Sequence, residues 1–154
     1  MKLGALENLY RINENLYRSE QPKKSDFVIL DSLGIKTVIS LRNRIGDKSR
    51  AKKSNLTLKR VRINAWRMSY DDIVRALKAI EESEKPVLIH CLHGSDRTGA
   101  VVAAYRMVYE GWPKEKAIEE FLMEQYGYHE GWFPGILDLL RELDVEQLRK
   151  DLKN

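Results

Sequence analysis

Pro86-Val-Leu-Ile-His-Cys-Leu-His-Gly-Ser-Asp-Arg-Thr-Gly99 is the stretch from which the fold of this chain is read. Val87, Leu88 and Ile89 predict a buried strand, the polar, glycine-bearing residues after them a tight turn, and the Ala/Val-rich residues 100–109 a helix with almost no charge. A strand, loop and helix N-terminus in this order turn successive backbone N–H groups inward and add the positive end of the helix dipole. The concavity suits an anion with several oxygens. A phosphate fits it. Cys91 at the start of the loop lies under such an anion as a thiolate, and Arg97, six positions on, forks around two of its oxygens. The N–H groups of residues 92–97 complete the cradle.

His90, Cys91, Gly94, Arg97, Thr98 and Gly99 spell H-C-x-x-G-x-x-R-T-G, which resembles the signature loop of the cysteine-dependent protein tyrosine phosphatase superfamily. A second stretch, Tyr17-Arg-Ser-Glu-Gln-Pro22, reads Y-R-S-x-Q-P. It resembles the N-terminal motif of bacterial dual-specificity-type phosphatases and of the fungal and plant atypical group, with Arg18 expected mainly to support the scaffold. The resemblance implies one dual-specificity-phosphatase-like domain over residues 1–154. It also implies metal-free, cofactor-free hydrolysis of phosphate monoesters through a phosphocysteine. Leu92, His93, Gly94 and Ser95 then line the substrate cradle, His93 toward its rim. Thr98 donates its hydroxyl to the sulfur, and His90 supports the loop by bonding to neighbouring backbone. Relatives carry an arginine that leaves the sheet toward the active site where this chain has Leu41-Arg42, so Arg42, with Arg44, is a candidate substrate contact.

Outward from the loop, the chain alternates strands and helices. Residues 9–12 and 16–18 read as a hairpin around Asn13-Glu14-Asn15. Residues 25–33 carry Phe27, Ile29, Leu30 and Leu33 at helical spacing before Gly34 as a stop, and 35–41 form an apolar strand covered on both faces. A polar loop over 43–55 leads to an alternating strand over 56–63, a loop over 64–70, and a helix over 71–82 with Ile73, Val74, Leu77 and Ile80 on one face. After the central helix and Gly111, Pro113 opens a helix over 114–125 with Ala117, Ile118, Phe121 and Leu122 inward. A glycine- and aromatic-rich turn over 127–134 precedes amphipathic helices over 136–143 and 145–152. The pattern is α/β: a single domain with a central, largely parallel sheet of four to five strands flanked by helices, its ligand loop at the carboxyl end of a strand.

The 154 residues suffice for one domain with a real core, and no apolar run approaches the roughly 20 residues that span a bilayer. Residues 1–10 show no basic region followed by an apolar segment, so a cytoplasmic location is expected. The single cysteine excludes an internal disulfide or a zinc cluster and leaves Cys91 to catalysis in a reducing compartment. The 27 Lys+Arg exceed the 23 Asp+Glu, and basic residues crowd into 42–67. Such a surface steers anions inward. Only Trp66 interleaves it with an aromatic ring, so no specific nucleic-acid partner is expected. The partners are a phosphorylated protein or a small phosphorylated molecule, and the chain is expected to act as a monomer.

The general acid is the open position. Many dual-specificity relatives place an Asp in the loop that here reads Asn64-Ala-Trp-Arg67, and no carboxylate stands there. Asp71 and Asp72 can approach from the helix start, where their other role is to cap or charge the helix N-terminus. Asp96, inside the signature loop, is the stronger candidate. Asp-Arg-Thr also ends the loop in myotubularin-like and Sac-type lipid phosphatases, although the adjacent guanidinium favours a carboxylate over the acid, and Asp96 can instead hold Arg97 or its own loop. His129 has no partner visible in the sequence. The expected activity is on phosphotyrosine, with phosphoserine or phosphothreonine. The alternatives are a phosphoinositide or inositol polyphosphate phosphatase and a phosphate-binding pseudophosphatase without turnover.

Overall fold

The computed structural model describes residues 9–44 and 46–154. Residues 1–8, read above as carrying no leader pattern, and Ile45, inside the polar loop, lie outside the described residues. At the centre of the sheet is β5 (Val87–His90), every residue of which is buried. On one side it pairs in parallel with β2 (Leu16–Ser19), aligning Ser19 with His90. On the other it pairs in parallel with β3 (Thr37–Ser40), which continues to β4 (Thr57–Arg60) at the far edge. A short antiparallel β1 (Tyr10–Arg11) closes the near edge, giving the order β1-β2-β5-β3-β4. The hairpin between β1 and β2 turns where expected, because Asn13 Oδ1 accepts from the backbone N–H of both Asn15 (2.8 Å) and Leu16 (3.0 Å).

Alternation splits the apolar strands between two layers. Val38 and Leu88 face α1 (Lys24–Ser32), where they meet Phe27, Leu30 and Ile35. Ile39, Leu41, Val87, Ile89 and Cys91 face the larger layer of α2 (Tyr70–Glu82) and α3 (Asp96–Tyr109) with the C-terminal helices. α3 is buried along nearly its whole length, in keeping with its lack of charge. α4 (Lys114–Phe121), α5 (Pro134–Glu142) and α6 (Val145–Leu152) cover it.

Several boundaries differ from the sequence reading. α3 begins at Asp96 rather than Ala100, since Ser95 is its N-cap residue and Ser95 O accepts from Gly99 N (2.9 Å); Asp96 and Arg97 therefore sit in its first turn. Of the residues at helical spacing over 25–33, Ile29 and the C-cap residue Leu33 are exposed, because one helix over a narrow sheet covers only the Phe27 and Leu30 stripe. α4 stops at Phe121, leaving Leu122 exposed, and residues 124–126 form a separate 3-10 turn ending in left-handed Gly127. The expected strand over 56–63 keeps ladder pairing only to Arg60. Its continuation still follows β3 and its end, with Val61 N donating to Ser40 O (2.9 Å) and Ile63 N to Leu41 O (3.2 Å). Among the described residues, no helix is long and apolar enough to cross a membrane.

Leu88 is fully buried between β2, β3 and α1, so Leu88→Ala is expected to cost about 3 kcal/mol, cavity term included. Urea denaturation checks this as a lower midpoint at an unchanged slope.

Candidate active site

The residues of the signature loop leave β5 at His90 and enter α3 at Asp96, and three elements hold them from below and behind. The first is the end of β2. Gly94 adopts φ +73, and a Cβ there would lie 2.4–2.6 Å from backbone atoms of Ser19 and Glu20, so only glycine allows the approach. Arg18 reaches the same residue: its Nη2 donates to Gly94 O at 2.8 Å while the guanidinium lies 4.4 Å over the Tyr126 ring. Burial pushes the Arg18 pKa down, and the neighbouring Tyr126 and Cys91 oppose that shift. Gln21 N then donates to Leu92 O at 3.1 Å. The Y-R-S-x-Q-P stretch is therefore the support of the cradle, and it includes the buried Arg18.

The second support runs through His90. Its Nδ1 lies 3.3 Å from Cys91 O, the expected bond to neighbouring backbone. Its Nε2 lies 2.6 Å from Asp47 Oδ2, with both side chains buried, a partner the sequence reading placed only within a polar loop. Gln21 Nε2 donates to Asp47 Oδ1 (2.9 Å), and Arg42 Nη1 donates to Gln21 Oε1 (3.1 Å). Arg42, Gln21, Asp47 and His90 form one chain of contacts ending at the residue before the nucleophile candidate. Burial pushes the Asp47 carboxyl up, but hydrogen bonds from His90 and Gln21 and the charges of His90 and Arg50 outweigh it and hold the carboxyl below its usual range. Partial burial and the like charges of Arg50 and Arg97 lower the Arg42 pKa. One signal for Asp47 was available: it is the only acid among the nine basic residues from Arg42 to Arg62.

The third support is the turn over residues 127–134, which carries His129. His129 N donates to Asp96 Oδ1 at 2.7 Å, and His129 Nδ1 lies 2.9 Å from Asp96 Oδ2, so both oxygens of the nearly buried Asp96 carboxylate are engaged. Asp71 and Asp72 stand elsewhere. Asp72 and Ser69 form a capping box at the start of α2, and both aspartates pair with Arg75, which is tied in turn to Arg62 O. The helix-capping role is the one their contacts express.

Cys91 is buried at the start of the loop, Leu92 and His93 are exposed at its rim, and Ser95 is buried. Arg97 Nη1 donates to Ile63 O at 3.0 Å. Three buried side-chain polar atoms have no hydrogen-bond partner among the described residues: Arg18 Nε, Arg97 Nε and Thr98 Oγ1. All three surround this loop, the pattern of a polar site built for something other than the fold. The Thr98 hydroxyl, expected to donate to the Cys91 sulfur, is buried and makes no hydrogen bond in this structure. In front of the loop opens a cavity of about 340 Å³ whose lining includes the cations Arg42, Arg44 and Arg97, the amides Asn43 and Asn64, and the apolar Trp66, Leu92 and Phe133. Asn64, in the loop where relatives were expected to place an acid, instead caps the turn by accepting from Trp66 N (2.9 Å).

A sequence model of the tyrosine phosphatase family matches residues 5–129, most of the chain. The chain belongs to the tyrosine phosphatase family. It is 36% identical over 152 residues to the dual specificity protein phosphatase TpbA of Pseudomonas aeruginosa, covering 96% of this chain and 67% of TpbA. The crystal structure of a cysteine-to-serine variant of TpbA in complex with phosphotyrosine superposes with a TM-score of 0.85 at 32% identity, over 96% of this chain and 91% of that one. The inositol diphosphatase DSP3 of Arabidopsis thaliana is 27% identical, covering 97% of this chain and 76% of its own length. The catalytic core of the PP-IP phosphatase SIW14 from S. cerevisiae shares the fold, with a TM-score of 0.80 at 19% identity over 94% of this chain and 90% of that one. This tyrosine phosphatase family member is a homologue of a dual specificity phosphatase, and the family implies a phosphocysteine mechanism.

Asp47→Ala leaves His90 buried without its partner and is expected to cost about 3 kcal/mol by urea denaturation. The sign with pH is set by the lowered carboxyl. The stability that Asp47 contributes is fully present above the unfolded carboxylate pKa near 4 and is lost as pH falls through the lower folded value. The gap between wild type and Asp47→Asn should therefore close as pH falls below about 4.

Proposed function

We propose that Cys91 attacks the phosphorus of a phosphate monoester, with phosphotyrosine in proteins as the main substrate and phosphoserine or phosphothreonine as further ones. The observation that carries this reading is the cradle itself: Cys91 at its start, Arg97 at its end, and unpartnered buried polar atoms confined to its surroundings. Phosphate monoesters resist nucleophiles because their oxygens repel them. The N–H groups of residues 92–97 and the Arg97 guanidinium neutralise those oxygens, more strongly as charge redistributes in the transition state. Leu92, His93, Gly94, Ser95 and Thr98 contribute the loop, Arg42 adds a cation at the mouth, and His90 holds the backbone beneath Cys91. The sulfur bonds to phosphorus as the ester oxygen leaves, and water then cleaves the phosphocysteine.

For the proton on the leaving oxygen, Asp96 is the carboxylate favoured among the three candidates. Asp71 and Asp72 are taken up by the capping of α2, whereas Asp96 adjoins Arg97 in the first turn of α3. Asp96 Oδ2 lies 2.9 Å from His129 Nδ1, so in this reading the carboxyl acts beside an imidazole rather than alone. The free thiol that this chemistry needs supports a reducing, cytoplasmic location, and action as a monomer belongs to the same reading.

A second reading, an inositol polyphosphate substrate, is favoured by one feature. Beside the mouth lies a cavity of about 600 Å³ lined by Lys48, Lys52, Lys59 and Arg60, where additional phosphates can be held. Removing Lys48 and Lys52 together is expected to lower the ratio of inositol hexakisphosphate to phosphotyrosine-peptide turnover about tenfold if that substrate is the physiological one. An unchanged ratio favours the phosphoprotein.

The direct test is hydrolysis of p-nitrophenyl phosphate without added metal. Wild type is expected to turn over, while Cys91→Ser and Arg97→Ala each lose about three orders of magnitude or more in kcat. Asp96→Asn should lose about 100-fold on phosphotyrosine and alkyl phosphates, whose leaving groups need a proton, and little on p-nitrophenyl phosphate. An inactive wild type overturns the enzymatic reading, and a full rate of Asp96→Asn on poor leaving groups removes Asp96 as acid.

A further inference from the structure

We propose that the outward face of α1, with the lysines at its N-terminal end, is a docking surface for an anionic lipid bilayer, on which the chain rests without crossing it. The surface lies on the side of the sheet away from α2 and α3, so the inference stands apart from the phosphatase reading and its test needs no turnover.

Charge is divided unevenly along this chain. Residues 9–62 carry 14 Lys+Arg against 5 Asp+Glu, whereas residues 63–154 carry 12 against 17. α1 and the loop packed against it through Ala51 lie on one side of the sheet, and α2 to α6 lie on the other. The α1 side is therefore the one that attracts a negatively charged surface.

On α1 itself the acids serve the fold and the lysines do not. Asp26 is buried and accepts from Lys23 N (2.8 Å), and Asp31 accepts from Asn55 N (2.7 Å), so both carboxylates are occupied locally. Lys23 at the N-cap and Lys24 at the first helical position are exposed, and they stand where the helix dipole disfavours a cation. With Lys53 of the packed loop and Val28 they line a cavity of about 420 Å³. None of the three lysines has an ion-pair partner among the described residues. The helix gains nothing from these cations, whereas contact with an anionic surface would.

Beside the lysines the helix turns aliphatic side chains to solvent. Val28 is 48%, Ile29 38% and Leu33 49% exposed, three within six residues, which makes a patch rather than scattered exposures. Because α1 is the one helix on its side of the sheet among the described residues, this face is a ridge. Three aliphatic side chains on a ridge fall well short of the roughly 800 Å² per partner that a stable protein interface buries. A lipid surface conforms to such a shape. The aliphatic crest enters the boundary between headgroups and acyl chains while the lysines meet anionic headgroups around it. At nine residues α1 is too short to cross, so it lies in the plane of the surface. Its lysine end follows Gln21, whose N–H holds Leu92 O, so the docked face and the signature loop share one end of the molecule.

Sedimentation with vesicles tests this on the full chain. The protein is expected to bind vesicles of phosphatidylcholine containing about one-third phosphatidylserine, to leave pure phosphatidylcholine vesicles unbound, and to dissociate as salt rises. Lys23→Ala/Lys24→Ala/Lys53→Ala should lower the partition coefficient about 100-fold, roughly a factor of five for each cation. Val28→Ser/Ile29→Ser should lower it about tenfold by withdrawing the aliphatic crest. All five side chains are exposed, so both variants are expected to keep the wild-type urea midpoint. Equally weak sedimentation of wild type with both kinds of vesicle overturns the proposal. Undiminished binding of the lysine variant overturns it as well, by moving the lipid contact to basic residues elsewhere, and so does undiminished binding of the serine variant, which leaves only a charge effect. Dimerisation that Val28→Ser/Ile29→Ser abolishes, without vesicle binding, assigns the face to a second copy of the chain instead.

Discussion

The parallel register that sets Ser19 of β2 opposite His90 of β5 is the constraint on which the site depends. It brings the end of β2 so close beneath the signature loop that position 94 must be glycine in a left-handed conformation. The same register places the Arg18 guanidinium on Gly94 O and the Gln21 N–H on Leu92 O, so two of the loop carbonyls are turned down into the protein. A loop whose carbonyls are bound below presents its N–H groups above. Anion affinity therefore begins in the pairing of two strands far apart in sequence, before any charged side chain meets the ligand.

Burying Arg18 and the His90–Asp47 pair to maintain this arrangement is costly by itself, since desolvation works against every charge involved. The cost is offset locally. Arg18 rests on the Tyr126 face, and Asp47 takes hydrogen bonds from His90 and Gln21. What results is a buried guanidinium beneath the signature loop that does not depend on surface lysines, with the exposed basic residues over 42–62 left to draw anions toward the mouth.

The sheet, its central strand and the candidate site were legible because each carries a local signature: an apolar run for β5, a motif with fixed spacing for Cys91 and Arg97. Contacts that close over long separations left weaker marks. Asp47 lies 43 residues from His90 and sits in a stretch whose polarity reads as loop, so only its isolation among cations hinted at a buried partner. His129 lies 33 residues from Asp96 beyond two helices, and nothing periodic connects them. Ile29, Leu33 and Leu122 failed in the opposite direction. Helical spacing marks them as inward, but whether a helix buries a wide or a narrow stripe depends on how much sheet lies beneath it, which spacing does not report.

Asp96 is the residue at which these constraints meet. It sits in the first turn of α3, next to Arg97. The His129 ring nitrogen lies 2.9 Å from one of its carboxylate oxygens, and the backbone N–H of the same residue holds the other at 2.7 Å. That two-point hold ties the turn over 127–134 to the signature loop, so the geometry of Asp96 is enforced from both ends, by α3 through its backbone and by a residue 33 positions later through its side chain.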